Sequence, residues 1–291
     1  MLQVVRRASL LLAVVLLAGC QTIDFKGLVA PTGDVVDSRF EQSMQLNAGM
    51  PKTTIEAAES YLFYVSADPH IDATFGNLRE FATRLRNDSQ ARFGVVLGDC
   101  TDRRNVLANY VEAIAYVEGE QVFDYPIFSV IGNHDLFFSG WDEFCKMLGA
   151  SVYWFDVECG GGRDLFLVLD SASGTMGRLQ IDWLQAFLSA ERSKYRHCVV
   201  LTHTNLFYTD NSQTGSGNLA IEETALLTEM FSRHRVALCL QGHDHYREDL
   251  SFGGVRYTIV GTIRDEAEKP EFLVVEMSDK GVEYRWVYLQ K

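Results

Sequence analysis

The 291-residue chain has no surplus of positive charge: 26 Lys and Arg face 39 Asp and Glu, for a net charge of −13. A nucleic-acid surface is basic, so this charge argues against one and none is expected. The same acidity repels phosphate-bearing molecules at long range, and an anionic substrate would need bound cations to supply local positive charge. Apolar runs long enough to cross a bilayer are also missing. The N-terminal one, residues 8–17, falls short of the about 20 residues that a spanning helix takes. The six cysteines include no C-x-x-C pair, which argues against a structural zinc site. A G-x-S-x-G elbow is absent, which disfavours a serine hydrolase. So is an H-x-H-x-D-H run, the pattern of metallo-hydrolases that act on non-phosphate substrates. No internal repeat is visible.

What is present is ordinary for a soluble globular protein, with 47% hydrophobic and 22% charged residues. The length suffices for a full core, as one large domain or two small ones. At the N-terminus, Arg6-Arg7, the apolar run and the small residues Ala18-Gly19-Cys20 follow the order of an export signal. Leu17-Ala18-Gly19-Cys20 resembles the bacterial lipobox, in which the cysteine is acylated and becomes the first mature residue. That resemblance implies a signal peptide over residues 1–19 and a lipid anchor at Cys20. It places the protein in the bacterial cell envelope. Gln21, in place of the aspartate associated with inner-membrane retention, favours the outer membrane. Residues 20–55 lack a clear period and read as a tether with one short helix near residues 40–46, followed by a single domain over 56–291. Of the remaining cysteines, Cys198 and Cys239 lie in apolar runs and read as buried hydrophobes. Cys145 and Cys159 flank a turn and could pair, which spacing alone does not decide.

Along the domain, apolar runs alternate with helical spacings. Strands are predicted at 61–65, 93–97 and 127–131, with helices at 77–86 and 106–117 between them. The pitch of about thirty residues suits β–α–β units with parallel neighbouring strands. A short helix follows at 141–148. Two strands at 153–157 and 165–169 flank Gly160-Gly161-Gly162 and suggest a hairpin. Then come a helix at 179–188, a strand at 198–201, a helix at 221–231 and a strand at 236–240. Three closing strands are predicted at 254–260, 272–277 and 282–289. Alternating β and α followed by consecutive strands suggests two sheets with helices outside. The long polar loop 204–218 is a candidate substrate-facing flap or a plain loop.

Five clusters of chemistry-bearing residues stand at the ends of these strands. They are Asp68-Pro69-His70, Gly98-Asp99-Cys100-Thr101-Asp102, Gly132-Asn133-His134-Asp135, Thr202-His203 and Gly242-His243-Asp244-His245. Five of the seven histidines lie in them; His197 and His234 do not. Strand ends are where open α/β sheets place their chemistry. Imidazole, carboxylate and amide oxygen are the ligands that divalent ions take, and a pair of ions about 3.5–4 Å apart is best bridged by a carboxylate. The strand period of two is expected to aim Asp68 and His70 the same way, and His243 and His245 likewise. Asp99 is the natural bridge, Asn133 offers a neutral oxygen and His203 completes the second ion.

In this order the clusters resemble the calcineurin-like metallophosphoesterases, whose pattern is D-x-H, G-D-x-x-D, G-N-H-D/E, a lone H after a strand, and G-H-x-H. The resemblance covers residues 68–245 and implies a mixed α/β fold: a four-layer α/β/β/α sandwich of two mixed sheets flanked by helices, as in metallo-dependent phosphatases. It implies that Asp68, His70 and His245 hold one metal, that Asn133, His203 and His243 hold the other, and that Asp99 bridges them. The metals would be divalent or trivalent ions of iron, manganese or zinc. It further implies that His134 is catalytic at the leaving oxygen, that Asp135 hydrogen-bonds its ring, and that a hydroxide bridging the ions attacks a small phosphorylated substrate. The chain departs from the pattern in having no proline close after His203 and in carrying Cys100 beside Asp99. A binding lipoprotein that keeps the metals without turnover is the alternative; the intact His134-Asp135 pair argues against it.

The anchor reading is tested by Cys20→Ser, which should block processing or release the protein from the detergent phase on phase separation. Unchanged membrane association would contradict it.

Overall fold

Both faces of strand β3 (Ala91–Leu97) are buried, and they face different layers. Phe93, Val95 and Leu97 point into a core shared with the second sheet, while Ala91 and Val96 pack under helices. That double burial explains why the strand reads as a continuous apolar run rather than an alternating one. The computed structural model describes residues 32–50, 52–102, 106–116, 123–207 and 219–289. The signal region and Cys20 lie outside them, as does most of the candidate flap, residues 208–218.

The five-stranded sheet comprises β2 (Tyr61–Ser66), β3, β4 (Ile127–Val130), β11 (Glu271–Ser278) and β12 (Gly281–Tyr288), in the order β12-β11-β2-β3-β4. Its β2–β3–β4 portion is parallel, as the β–α–β pitch requires. The seven-stranded sheet runs β1-β5-β6-β7-β8-β10-β9. Its strands are β1 (Thr54–Ala57), β5 (Tyr153–Cys159), β6 (Gly162–Val168), β7 (Cys198–Leu201), β8 (Leu238–Gln241), β9 (Glu248–Phe252) and β10 (Val255–Ile259). β5 and β6 form the expected antiparallel hairpin across the glycine turn.

The two sheets meet through an aromatic knot centred on Phe93. Its ring stacks on Phe63 at 4.9 Å and meets Phe155 and Phe166 edge-on at 5.2 and 5.0 Å. Helices α2 (Gly76–Asn87), α3 (Leu107–Ala115) and α4 (Trp141–Met147) cover the outer face of the five-stranded sheet. Leu78, Phe81, Ala82 and Leu85 form the buried stripe of α2, the four positions the helical spacing marks. Helices α1 (Thr32–Ala48), α5 (Arg178–Glu191) and α6 (Ile221–Arg233) cover the other sheet. The result is the expected α/β/β/α sandwich. Among the described residues no helix is long and apolar enough to cross a membrane.

Two readings of the sequence differ from this structure. The described part of the expected tether is folded: α1 packs on α5 and β5, and β1 pairs in parallel with β5. The inward stripe of α1, Val36-Arg39-Phe40-Ser43, is half polar, so no apolar period marks the helix. Strand β9 is also missing from the elements the sequence predicts. It is a sheet edge whose side chains are mostly exposed, so it carries no burial pattern. The cysteines at 145 and 159 are free, as are the other three described.

Phe93→Ala should cost about 3–5 kcal/mol of unfolding free energy, the range for truncating a buried aromatic. Chemical denaturation measures it, and a loss below about 1 kcal/mol would contradict the central place of this ring in the core.

Candidate metal centre

Five parallel strands end at one place. β2, β3 and β4 are neighbours in one sheet, and β7 and β8 in the other. The residues just beyond them are Asp68, Asp99, Asn133, His203 and His243. The loops then lock to one another through the backbone. The N–H groups of Asp68 and His70 donate to Gly98 O and Asp99 O, and Gly242 N–H donates to His203 O.

The side chains converge, but not by strand periodicity. β2 stops at Ser66 and β8 at Gln241. Asp68, His70, Asp99, His243 and His245 all have left-handed backbones, with φ of 51°, 44°, 50°, 74° and 61°. Such φ values are uncommon outside glycine and cluster at functional sites. Each pair is thus aimed by alternating left-handed turns, and the expectation of an extended D-x-H is corrected. Neighbouring glycines permit the close approach. A Cβ at Gly132 would lie 2.2 Å from Asp99 Oδ1, and one at Gly98, itself at φ 86°, would lie 2.5 Å from His203 Nδ1.

Two donor sets share Asp99, and a third joins His70, Asp102 and His134. Asp68, His70, Asp99 and His245 form one, and Asp99, His203 and His243 the other, with the donor atoms of each set within 4.8 Å of one another. Asn133 Oδ1 joins the second, 2.9 Å from both His203 Nε2 and His243 Nδ1. Asp99 Oδ2 lies 3.6 Å from His70 Nε2, and Oδ1 lies 3.3 Å from His203 Nε2. One carboxylate oxygen therefore faces each set. All seven residues singled out as ligands in the sequence are brought together.

The electrostatics of this cavity favour positive charge. His203 Nδ1 donates to Leu97 O at 2.7 Å, which turns Nε2 toward Asn133 and Asp99. Both of those partners are acceptors. Burial opposes a charge on His203, yet Asp99, Asp68 and the Leu97 carbonyl outweigh it and push the ring up to about 10. The proton on Nε2 thus stands where a metal would bond. Asp68 is raised to about 7 by burial and by Asp99, against the pull of His203 and His70. Asp99 stays far below the carboxylate range, because His203, His70 and His134 overcome its burial. His243 is lowered to about 4 by burial and His203, and His245 to about 3 by burial and His70, so both present free lone pairs at neutral pH. Buried imidazole, carboxylate and amide oxygens converging in this way fit a pair of metal ions.

His134 stands at the open side. Its side chain is 29% exposed, against 1% for His70 and 0% for His203. Its backbone N–H donates to Asp99 Oδ1 at 2.8 Å, and its Nε2 lies 3.9 Å from Asp99 Oδ2. Asp135 does not touch the ring. Its carboxylate accepts the N–H groups of Gly132 at 2.8 Å and Thr101 at 3.2 Å, so it braces the turn beneath. Burial and Asp99 raise it to about 6. The acid facing the ring is Asp102, whose Oδ1 lies 2.9 Å from His134 Nδ1 and 2.5 Å from His70 Nδ1. Both rings, aided by hydrogen bonding, hold Asp102 well below its ordinary range despite partial burial. The signal for it in the sequence is the second aspartate of G-D-x-x-D, which the motif alone leaves without a role.

Of the remaining histidines, His197 Nε2 bonds Ser278 O, a structural contact away from the centre. His234 ends α6, but burial and the neighbouring Arg233 and Arg192 lower its pKa, so a cation is not favoured there.

A family model described as calcineurin-like phosphoesterase matches residues 61–247. No curated protein matches the chain. Solved structures share the fold at low identity. GAP50, the anchor in the inner membrane complex of Plasmodium, is 15% identical over 79% of this chain and 84% of its own, with a TM-score of 0.60. A dimetal phosphatase from Danio rerio is 15% identical over 79% of this chain and 99% of its own, with a TM-score of 0.57. The purple acid phosphatase PPD1 from yellow lupin seeds is 15% identical over 78% of this chain but only 52% of its own, also at 0.57. The five motifs, the sandwich that gathers them and the match over more than half of the residues agree: the chain belongs to the calcineurin-like phosphoesterase family.

Proposed function

We propose that the chain is a phosphoesterase with a dinuclear metal centre, lipid-anchored at Cys20 in the bacterial cell envelope. The observation that carries the catalytic part is the position of Asp99, with one oxygen toward each donor set. Asp68, His70 and His245 would hold the first ion, and Asn133, His203 and His243 the second. When bound, the pair supplies the positive charge that phosphate oxygens need and makes water acidic enough, with a pKa of about 7, to attack at neutral pH. The protein's own charge of −13 gives no such help. The anchor rests on the order of Arg6-Arg7, the apolar run and Cys20.

The residues of the chain then divide the work. His134 is the exposed imidazole beside the centre, and its Nε2 points toward Asp99. It is placed to give a proton to the leaving oxygen of the ester as the bond to phosphorus breaks. Asp102 Oδ1 lies 2.9 Å from the opposite ring nitrogen and orients the imidazole. By meeting His70 as well, Asp102 ties the proton donor to a ligand of the first ion. Asp135 keeps the 132–135 turn in shape.

Asp99→Ala should abolish hydrolysis of an aryl phosphate and lower metal content. His134→Ala should lose about 10²–10⁴-fold in kcat, the usual size of a general acid, with metal content kept. Loss of metal from His134→Ala would contradict this division between proton donor and ligands. Metal uptake should also release protons. Asp99 and Asp68 favour a proton on His203 despite its burial, burial and Asp99 favour one on Asp68, and both groups must deprotonate to bind. Calorimetry of Mn²⁺ binding in buffers of different ionisation heat should give at least one proton released. No release would contradict a protonated His203 in the metal-free site.

A further inference from the structure

Helix α1 precedes the 61–247 family match and holds one buried cation, Arg39. The helix turns Val36, Arg39, Phe40 and Ser43 toward the domain, all under 9% exposed and spaced on one helical face. Arg39 grips Asp170 with both arms of its guanidinium. Nε lies 2.8 Å from Oδ2 and Nη2 lies 3.0 Å from Oδ1, and Nη2 also reaches Ser173 Oγ at 3.0 Å. Arg39 is 2% exposed and Asp170 1%. A bidentate pair so thoroughly removed from water fixes geometry as well as charge.

Asp170 is followed by Ser171, and Ser171 holds the main chain at His203. Its Oγ accepts the N–H of His203 at 3.2 Å and of Thr204 at 2.8 Å, and lies 2.7 Å from Thr202 Oγ1. Its carbonyl accepts from Thr204 Oγ1 at 2.8 Å. One serine therefore holds three consecutive residues of the segment that presents His203 to the second donor set. That serine sits beside the carboxylate that α1 neutralises. Gln180 clamps the backbone of Asp170 on the other side, donating to its carbonyl and accepting its N–H. Even the helix that carries Gln180 leans on α1: Gly177 makes no side-chain cap at the start of α5, and Asp37 Oδ1 accepts the Leu179 N–H at 3.0 Å instead.

We propose that Arg39 is a positioning residue for the second metal: by holding Asp170 it fixes Ser171, and through Ser171 the backbone that aims His203. The inference rests on the dinuclear reading above. Without Arg39, Asp170 is a buried carboxylate with no counter-charge, and it must take a proton or draw in water. Either change loosens the 170–173 turn, and the loss falls on His203 alone among the ligands. The first donor set does not pass through this turn and keeps its ion. The N-terminal helix is thus part of the metal centre and not a spacer before it.

The test uses the purified full chain, stripped with a chelator, gel-filtered and titrated with Mn²⁺, with bound equivalents read by elemental analysis. The wild type should bind two. Arg39→Met and His203→Ala should each keep one tight equivalent and bind the other at least tenfold more weakly. Ser171→Ala removes only a hydroxyl, so it should fold even where Arg39→Met does not, and should lose the same equivalent. Arg39→Met combined with Asp170→Asn removes the orphaned charge and should recover the second equivalent. Two equivalents of wild-type affinity in both Arg39→Met and Ser171→Ala, whatever their Tm, would overturn the proposal. So would a double variant that stays at one. A wild type that binds fewer than two equivalents would reject the dinuclear reading beneath, a different failure.

Discussion

A carboxylate taken out of water must find a cation, and Asp99 is where this molecule meets that constraint. Buried to 1% exposure, it stands between His70 and His203, with His134 above. Asp68 adds a second buried carboxylate nearby; burial and Asp99 raise its pKa, while His203, His70 and His134 hold Asp99 low despite its burial. A cluster so acidic and so dry is costly unless positive charge is supplied. Protons on His203 and Asp68 supply some of it in the absence of metal. Two ions would supply it in full, which makes the cavity a cation trap before any substrate arrives.

Holding the trap open strains the backbone. Five ligand-bearing residues sit in the left-handed region, at about 1–3 kcal/mol each. Strain of that size persists only where the surrounding structure over-determines it. Here that structure is the core between the sheets, where Val65, Leu97, Val130, Leu201 and Leu240 are buried at or next to the strand ends. Backbone bonds between the loops do the rest, along with Thr262 Oγ1, which donates to the carbonyl of the strained Asp68 at 2.7 Å. Rigid strands, tight glycine turns and one bridging acid are thus a single device.

Much of this is legible in the sequence, because buried strands and amphipathic helices announce themselves by period. The α2 stripe of Leu78, Phe81, Ala82 and Leu85 is an instance, and so are the five motifs at strand ends. Convergence is legible for a partly mistaken reason. Asp68 and His70 do serve one donor set, but through left-handed turns rather than a strand face, and His243 and His245 serve different sets. Local conformation of that kind is imposed by the tertiary contacts and leaves no period. The sequence misplaces the partner of His134 for a similar cause: Asp135 is adjacent in sequence, while Asp102 reaches the ring from another loop. Helix α1 is legible only as a short helix near residues 40–46, because its inward face includes Arg39 and Ser43, whose partners Asp170 and Ser151 are more than a hundred residues away.

Whether two ions share Asp99 decides everything else about this centre. Crystals grown with Mn²⁺ and measured at the manganese absorption edge would show it directly. Two anomalous peaks are predicted, about 3.5–4 Å apart, one among Asp68, His70 and His245, the other among Asn133, His203 and His243, with Asp99 bonded to both. A single peak, or a pair that Asp99 does not bridge, would contradict the dinuclear centre.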